Sequence, residues 1–138
     1  MNALLDTNVL LEWVLRRSQN FKSACRIIIA CIDKGVQGFV TSHSLTDFFY
    51  ITRKNFSIEQ RKKLMLFIVS NFTVLIEDNN IFFHALFGRD FFDLEDALQI
   101  ACAEHAQLDY IVTENMRDFK HSKIPAVSIG DFVHKIMQ

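Results

Sequence analysis

The sequence predicts an α/β domain of three layers, with helices on both faces of a mostly parallel sheet of four to five strands. Two observations carry that prediction. Short apolar runs rich in β-branched and large side chains alternate along the chain with segments whose apolar residues recur every three to four positions. Only 4 Gly and 1 Pro punctuate 138 residues, half of them hydrophobic and 14 of them Phe, so the chain is core material and not linker. Alternating strands and helices imply right-handed crossovers and a parallel sheet. A chain of this length suits one domain, 1–138, burying roughly 68–70% of its unfolded surface.

The first apolar run, residues 3–5, stops at Asp6, and Val9, Leu10, Trp13 and Val14 then mark a helix face. Residues 20–34 form a second helix, with Phe21, Ala24, Cys25, Ile28, Ile29 and Ile32 as its stripe and Gly35 as its stop. The second strand is 38–41. Ser42 or Ser44 caps the next helix, with Leu45, Phe48, Phe49 and Thr52 inward and Asp47 in or near its first turn. Ser57 and Gln60 form a capping box opening a helix to about Ser70. The third strand is 72–76, and a short helix capped within 78–80 ends near Gly88. A helix beginning at 93–96 buries Ala97, Leu98, Ile100, Ala101 and Leu108, with Ala97, Ala101 and Ala103 admitting close approach to the sheet. The fourth strand is 110–113. A polar loop, 114–123, leads to a short fifth strand at 127–129 and a last helix over about 131–137. The set Phe82, Phe83, Phe87, Phe91 and Phe92 reads mostly as core, with a partly exposed member suited to an interface.

Composition excludes several classes. No apolar run approaches a membrane span, and the first residues lack the basic and apolar regions of a signal peptide, so the cytoplasm is expected. Cys25, Cys31 and Cys102 are odd in number and lack metal spacing, which predicts buried free thiols. A net charge of −1 provides no global field for nucleic acid, so such binding must rest on local patches or on metal.

The acids converge by topology. A helix linking parallel strands runs back antiparallel, so its start lies at the carboxyl edge of the sheet, where open α/β sheets bind ligands. Asp6 ends strand one, Asp47 follows strand two, Asp93 and Asp96 open the helix before strand four, and Asp118 follows strand four. Each has a bland role as well: Asp93 as an N-cap, Asp96 and Asp47 as first-turn acids, Asp118 as a loop acid, Asp6 as a turn residue. Crowded carboxylates repel unless a cation neutralises them, and hard oxygen donors favour magnesium or manganese. Such a site activates water for phosphodiester displacement. An aspartyl-nucleophile phosphatase wants an acid two residues after Asp6, where Asn8 stands, and a phosphoacceptor domain wants a lysine near 127–130, where there is none.

Leu4-Leu5-Asp6-Thr7-Asn8-Val9-Leu10, the acid Asp47, Asp93-Leu94-Glu95-Asp96-Ala97-Leu98 and Thr113-Glu114-Asn115-Met116-Arg117-Asp118-Phe119 together resemble the PIN domain family over nearly the whole chain. The resemblance implies a magnesium- or manganese-dependent ribonuclease. Its catalytic and metal residues would be Asp6, Asp47, Asp96 and Asp118, with Asp6 and Asp96 the principal ligands. Thr7, Asn8, Asp93, Thr113 and Asn115 would support them or meet substrate. The family more often has Glu at the place of Asp47 and Asp at or near Asn115. Small PIN proteins of this length resemble VapC-type toxins, which implies an RNA substrate, a homodimer and an antitoxin whose segment enters the acidic cleft. A stand-alone RNA-processing nuclease and a non-catalytic RNA- or protein-binding module are the alternatives. Arg16 and Arg17, Arg53 and Lys54, 61–63, and Lys120 with Lys123 are candidate RNA contacts, or else solvated faces. His43 shares a helix face with Asp47, as a surface residue or a ligand.

Overall fold

The run at the amino terminus becomes the central strand. In the computed structural model, which describes residues 1–88, 91 and 93–138, β1 (Asn2–Leu5) lies between β2 (Gln37–Thr41) and β4 (Tyr110–Val112). β3 (Thr73–Leu75) pairs beyond β2 and β5 (Ala126–Val127) beyond β4, and every pairing is parallel. A central strand of a parallel sheet is covered on both faces and so is apolar throughout. Ala3 and Leu5 join one core, whereas Leu4 joins the other.

On the first face, α1 (Thr7–Leu15), α2 (Phe21–Ile32), α3 (Ser42–Ile51), α4 (Ile58–Asn71) and α7 (Ile129–Ile136) bury side chains against Leu5, Val40 and Val112. The opposite face carries α5 (Asn79–Gly88) and α6 (Leu94–His105), and a 3-10 turn at Met116–Phe119 drives Phe119 into the core beside Leu4 and Ile111. Register places Leu4 opposite Phe39 and Ile111, and Leu5 opposite Val112. The next residue, Asp6, therefore leaves the sheet at the carboxyl edge, its N–H donating to the Val112 carbonyl at 3.0 Å.

Several sequence expectations shift. The buried stripe of α2 is Ala24, Ile27, Ile28 and Cys31, and Ile29 and Ile32 are exposed, because α2 is wedged between α1 and α7 and presents a narrower face. The left-handed residue after α2 is Lys34, not Gly35. Thr41, rather than Ser42 or Ser44, caps α3 by accepting the Ser44 N–H. The last helix starts at Ile129, because the Ser128 side chain accepts the Asp131 N–H. Ala97 and Ala101 share a cluster with Ile81 and Ala85 of α5 and with Leu75 of β3, while Ala103 joins Leu4. The expected phenylalanine core is absent from α5, where only Ile81 and Ala85 are buried; Phe82, Phe83, Phe87 and Phe91 are exposed, Phe87 at 81%. Phe92 lies outside the described residues. The capping box of Ser57 and Gln60 is present as expected. Cys31 and Cys102 are buried free thiols, and Cys25 is only half-buried. Among the described residues no helix is long and apolar enough to cross a membrane.

Gly38 in β2 is required by close packing. A Cβ built there meets Phe72 Cδ1 at 2.5 Å, Phe72 Cε1 at 2.6 Å and Cys31 Sγ at 2.9 Å. Overpacking of this kind costs roughly 1–3 kcal/mol. Urea unfolding of Gly38→Ala is expected to show a loss in that range, and an unchanged midpoint would contradict the packing described.

Candidate functional site

Asp6 is buried, at 8% exposure, and its carboxylate is the most heavily bonded group at the edge of the sheet. Oδ1 accepts the Thr7 N–H at 2.8 Å and Gln99 Nε2 at 2.9 Å; Oδ2 accepts Thr113 Oγ1 at 2.8 Å and Asn8 Nδ2 at 3.3 Å. The first bond also makes Asp6 the N-cap of α1. Three segments distant in sequence are thereby tied to one carboxylate. Burial pushes Asp6 above its usual range, and the donors of Thr113, Thr7 and Gln99 pull against that shift.

Hydroxyls build the next layer. Thr7 Oγ1 and Thr41 Oγ1 each lie 2.9 Å from Ser44 Oγ, and Gln99 Nε2 donates to the same oxygen at 3.0 Å. Thr113 Oγ1 accepts the Asn115 N–H at 2.9 Å, and Asn8 Oδ1 accepts the Glu114 N–H at 3.3 Å. Gln99 is 1% exposed, and its Oε1 has no partner among the described residues.

Asp93 caps α6 by accepting the Asp96 N–H at 3.2 Å, so the bland reading of Asp93 is realised. Asp96, in the first turn of α6, is pushed up to about 7. Burial is the largest cause, followed by the charges of Asp93, Asp6 and Asp118 and a hydrogen bond to Asp118. Asn115 Nδ2 donates to Asp118 Oδ2 and fixes that carboxylate in the 3-10 turn. Asp6, Asp93, Asp96 and Asp118 thus share one electrostatic neighbourhood. Among the described residues no lysine or arginine forms an ion pair with any of them.

Asp47 departs from expectation. It sits in the second turn of α3, and the groups about it are His43 and Glu95. One donor atom from each of the three lies within 4.8 Å of the others, whereas the donors of Asp6, Asp96 and Asp118 do not form such a group. Burial raises Glu95, and so do the charge of Asp47 and a hydrogen bond with it. Sequence reasoning missed Gln99, Ser44, Glu77 and Glu95 as site residues. Gln99 had a signal, since it lies one helical turn after Asp96 on the same face.

A cleft of about 430 Å³ is lined by the acids Asp93, Asp96 and Asp118 together with Arg117, Lys120 and His121. Of the other basic candidates, Arg53 stacks 3.7 Å over Tyr50, and Arg61 stacks 4.3 Å over Phe49 while donating to its carbonyl.

A buried carboxylate at the end of strand one, acids at the start of α6 and after β4, and a five-stranded parallel sheet define a three-layer α/β/α domain with an acidic carboxyl edge. The PIN domain family profile matches residues 2–117, and the chain belongs to that family. Solved structures share the fold. A toxin–antitoxin complex from Klebsiella pneumoniae superposes with TM-score 0.68 at 23% identity, covering 92% of this chain and 97% of the other. DNA-bound VapBC from Salmonella typhimurium gives 0.68 at 18%, covering 94% and 98%. VapC20 of Mycobacterium tuberculosis, described as a sarcin-ricin loop cleaving toxin, gives 0.63 at 10%, covering 79% and 86%. Among curated proteins, none matches the chain in sequence.

A carboxyl whose folded pKa lies above its unfolded value of 3.8 stabilises the fold fully below about pH 4 and loses that contribution as pH rises through about 7. In metal-free buffer at pH 8, Asp96→Asn is therefore expected to melt higher than the wild type. After allowance for solvent screening the gain is about 1 kcal/mol, or roughly 2–8 °C. A lower melting temperature than the wild type at pH 8 would contradict the crowding.

Proposed function

We propose that the chain is a divalent-cation-dependent ribonuclease, the toxin of a type II toxin–antitoxin pair. In this reading Asp6, Asp96 and Asp118 are the cation's oxygen ligands, and Asp47 acts on it through water. The observation that carries the reading is uncompensated charge: Asp93, Asp6 and Asp118 all raise Asp96, and none of these acids is paired with a lysine or arginine among the described residues. All-oxygen donors of this kind suit Mg2+ or Mn2+. When bound, the cation supplies an activated water and stabilises charge developing on the phosphodiester.

The chain's own residues do the rest. Thr113, Gln99, Asn8 and the Thr7 N–H hold Asp6 in one orientation, which limits the rearrangement needed to present an oxygen to the cleft. Asn115 does the same for Asp118. Arg117 and Lys120 line the same cleft, where they are placed to meet backbone phosphates of RNA flanking the scissile bond. Membership of the PIN family and the likeness to toxin–antitoxin structures support an antitoxin partner, and a homodimer in the cytoplasm completes the reading. The Mycobacterium neighbour, named for cleaving an RNA loop, supports RNA as substrate.

Purified protein is expected to cleave single-stranded RNA with Mg2+ or Mn2+ and to leave it intact in EDTA. Loss of an outer-shell partner alone typically costs roughly 10–100-fold, so Asp6→Asn and Asp96→Asn are each expected to lower the rate by about 100-fold or more. Cleavage that survives both substitutions, or that continues in EDTA, sinks the cation mechanism. Cleavage of DNA in preference to RNA corrects the substrate.

A further inference from the structure

The triad of His43, Asp47 and Glu95 adjoins the Asp96 group, with Asp93 acting on Glu95 and His43 on Asp6, and has a support of its own. His43 is the second residue of α3 and Asp47 stands one turn on; Glu95 opens α6 opposite them. Behind His43 stands Glu77, in the segment leaving β3, with its side chain only 7% exposed. Glu77 Oε1 accepts Ser42 Oγ at 2.7 Å and the His43 N–H at 3.1 Å, and Oε2 lies 2.6 Å from His43 Nδ1. A carboxylate oxygen accepts, so at 2.6 Å from Oε2 the ring nitrogen Nδ1 is the donor.

A carboxylate that takes Nδ1–H sets the ring's orientation and tautomer and leaves Nε2 as the ligating nitrogen, the arrangement found behind metal-bound histidines. Nε2 has no hydrogen-bond partner among the described residues. We propose that His43, Asp47 and Glu95 form a second cation subsite, oriented by Glu77, that takes a first-row transition ion such as Mn2+ in preference to Mg2+. One imidazole with two carboxylates is a mixed nitrogen and oxygen set, and imidazole nitrogen favours the softer first-row ions over the all-oxygen preference of Mg2+. The inference rests on the proposed function only in treating this edge as cation-binding, and it makes Asp47, which reaches the first cation through water, a direct ligand of the second.

The test is electron spin-echo spectroscopy and equilibrium titration of the full chain with Mn2+ alone. The wild type is expected to show nitrogen modulation on bound Mn2+ that persists in Asp96→Asn, survives excess Mg2+ and disappears in His43→Ala. Glu95→Gln, at an exposed position, is expected to weaken that nitrogen-coupled class, and Glu77→Gln to weaken it roughly 10–100-fold. Wild-type Mn2+ without nitrogen coupling overturns the subsite. Coupling retained in His43→Ala also overturns it, by pointing to His84 or His121 of the cleft. RNA cleavage is read separately on the same samples: nitrogen-coupled binding without cleavage sustains the subsite and fails the ribonuclease, and the reverse result fails only the subsite.

Discussion

The carboxylate of Asp6 is the constraint on which the edge of the sheet depends. A buried carboxylate is tolerated only when its lone pairs are met, and here four donors from α1, α6 and the end of β4 meet them. Those bonds fix where α6 begins relative to β1, and α6 in turn carries Asp93, Asp96 and Glu95 to the same edge. The turn after β4 is set by the same Thr113 that bonds Asp6, which also receives the Asn115 N–H and so leads to Asp118. Fold and site are therefore coupled through one side chain.

Two neighbouring donor sets emerge from that arrangement, and they differ in chemistry. Around Asp96 the donors are carboxylates, and burial, followed by the charges of Asp93, Asp6 and Asp118, pushes Asp96 up to about 7. Around Asp47 a histidine joins them, braced by an anionic Glu77. The buried acceptor Gln99 Oε1, unmet among the described residues, is a further polar group behind the edge where Asp6 sits.

Much of this was legible in the chain because it depends on local rules. Short apolar runs and helical patterning located the five strands and seven helices of the described residues to within a few residues, and crossover geometry predicted that Asp6, Asp47, Asp93, Asp96 and Asp118 would share an edge. The limits were physical too. Caps are decided by which hydroxyl reaches the first free N–H, so Thr41 displaced two adjacent serines as the cap of α3. The orientation of Asp47 depends on how α3 meets α6, a tertiary fact that its spacing from His43 only half revealed. Glu77 carried no signal at all, since it lies 34 residues from the histidine it braces. The phenylalanines of α5 read as core from their hydrophobicity, but α5 packs on α6 through Ile81 and Ala85, leaving the rings outside.

The central claim is that Asp6, Asp96 and Asp118 gather around a divalent cation at the carboxyl edge of the sheet. Anomalous diffraction from crystals grown with Mn2+ tests it most directly. The account predicts a peak within coordination distance of carboxylate oxygens from Asp6 and Asp96, with Asp118 coordinating directly or through water. A well-ordered edge at which Asp6 and Asp96 are bridged by protein groups alone, with no peak between them at saturating Mn2+, would contradict it.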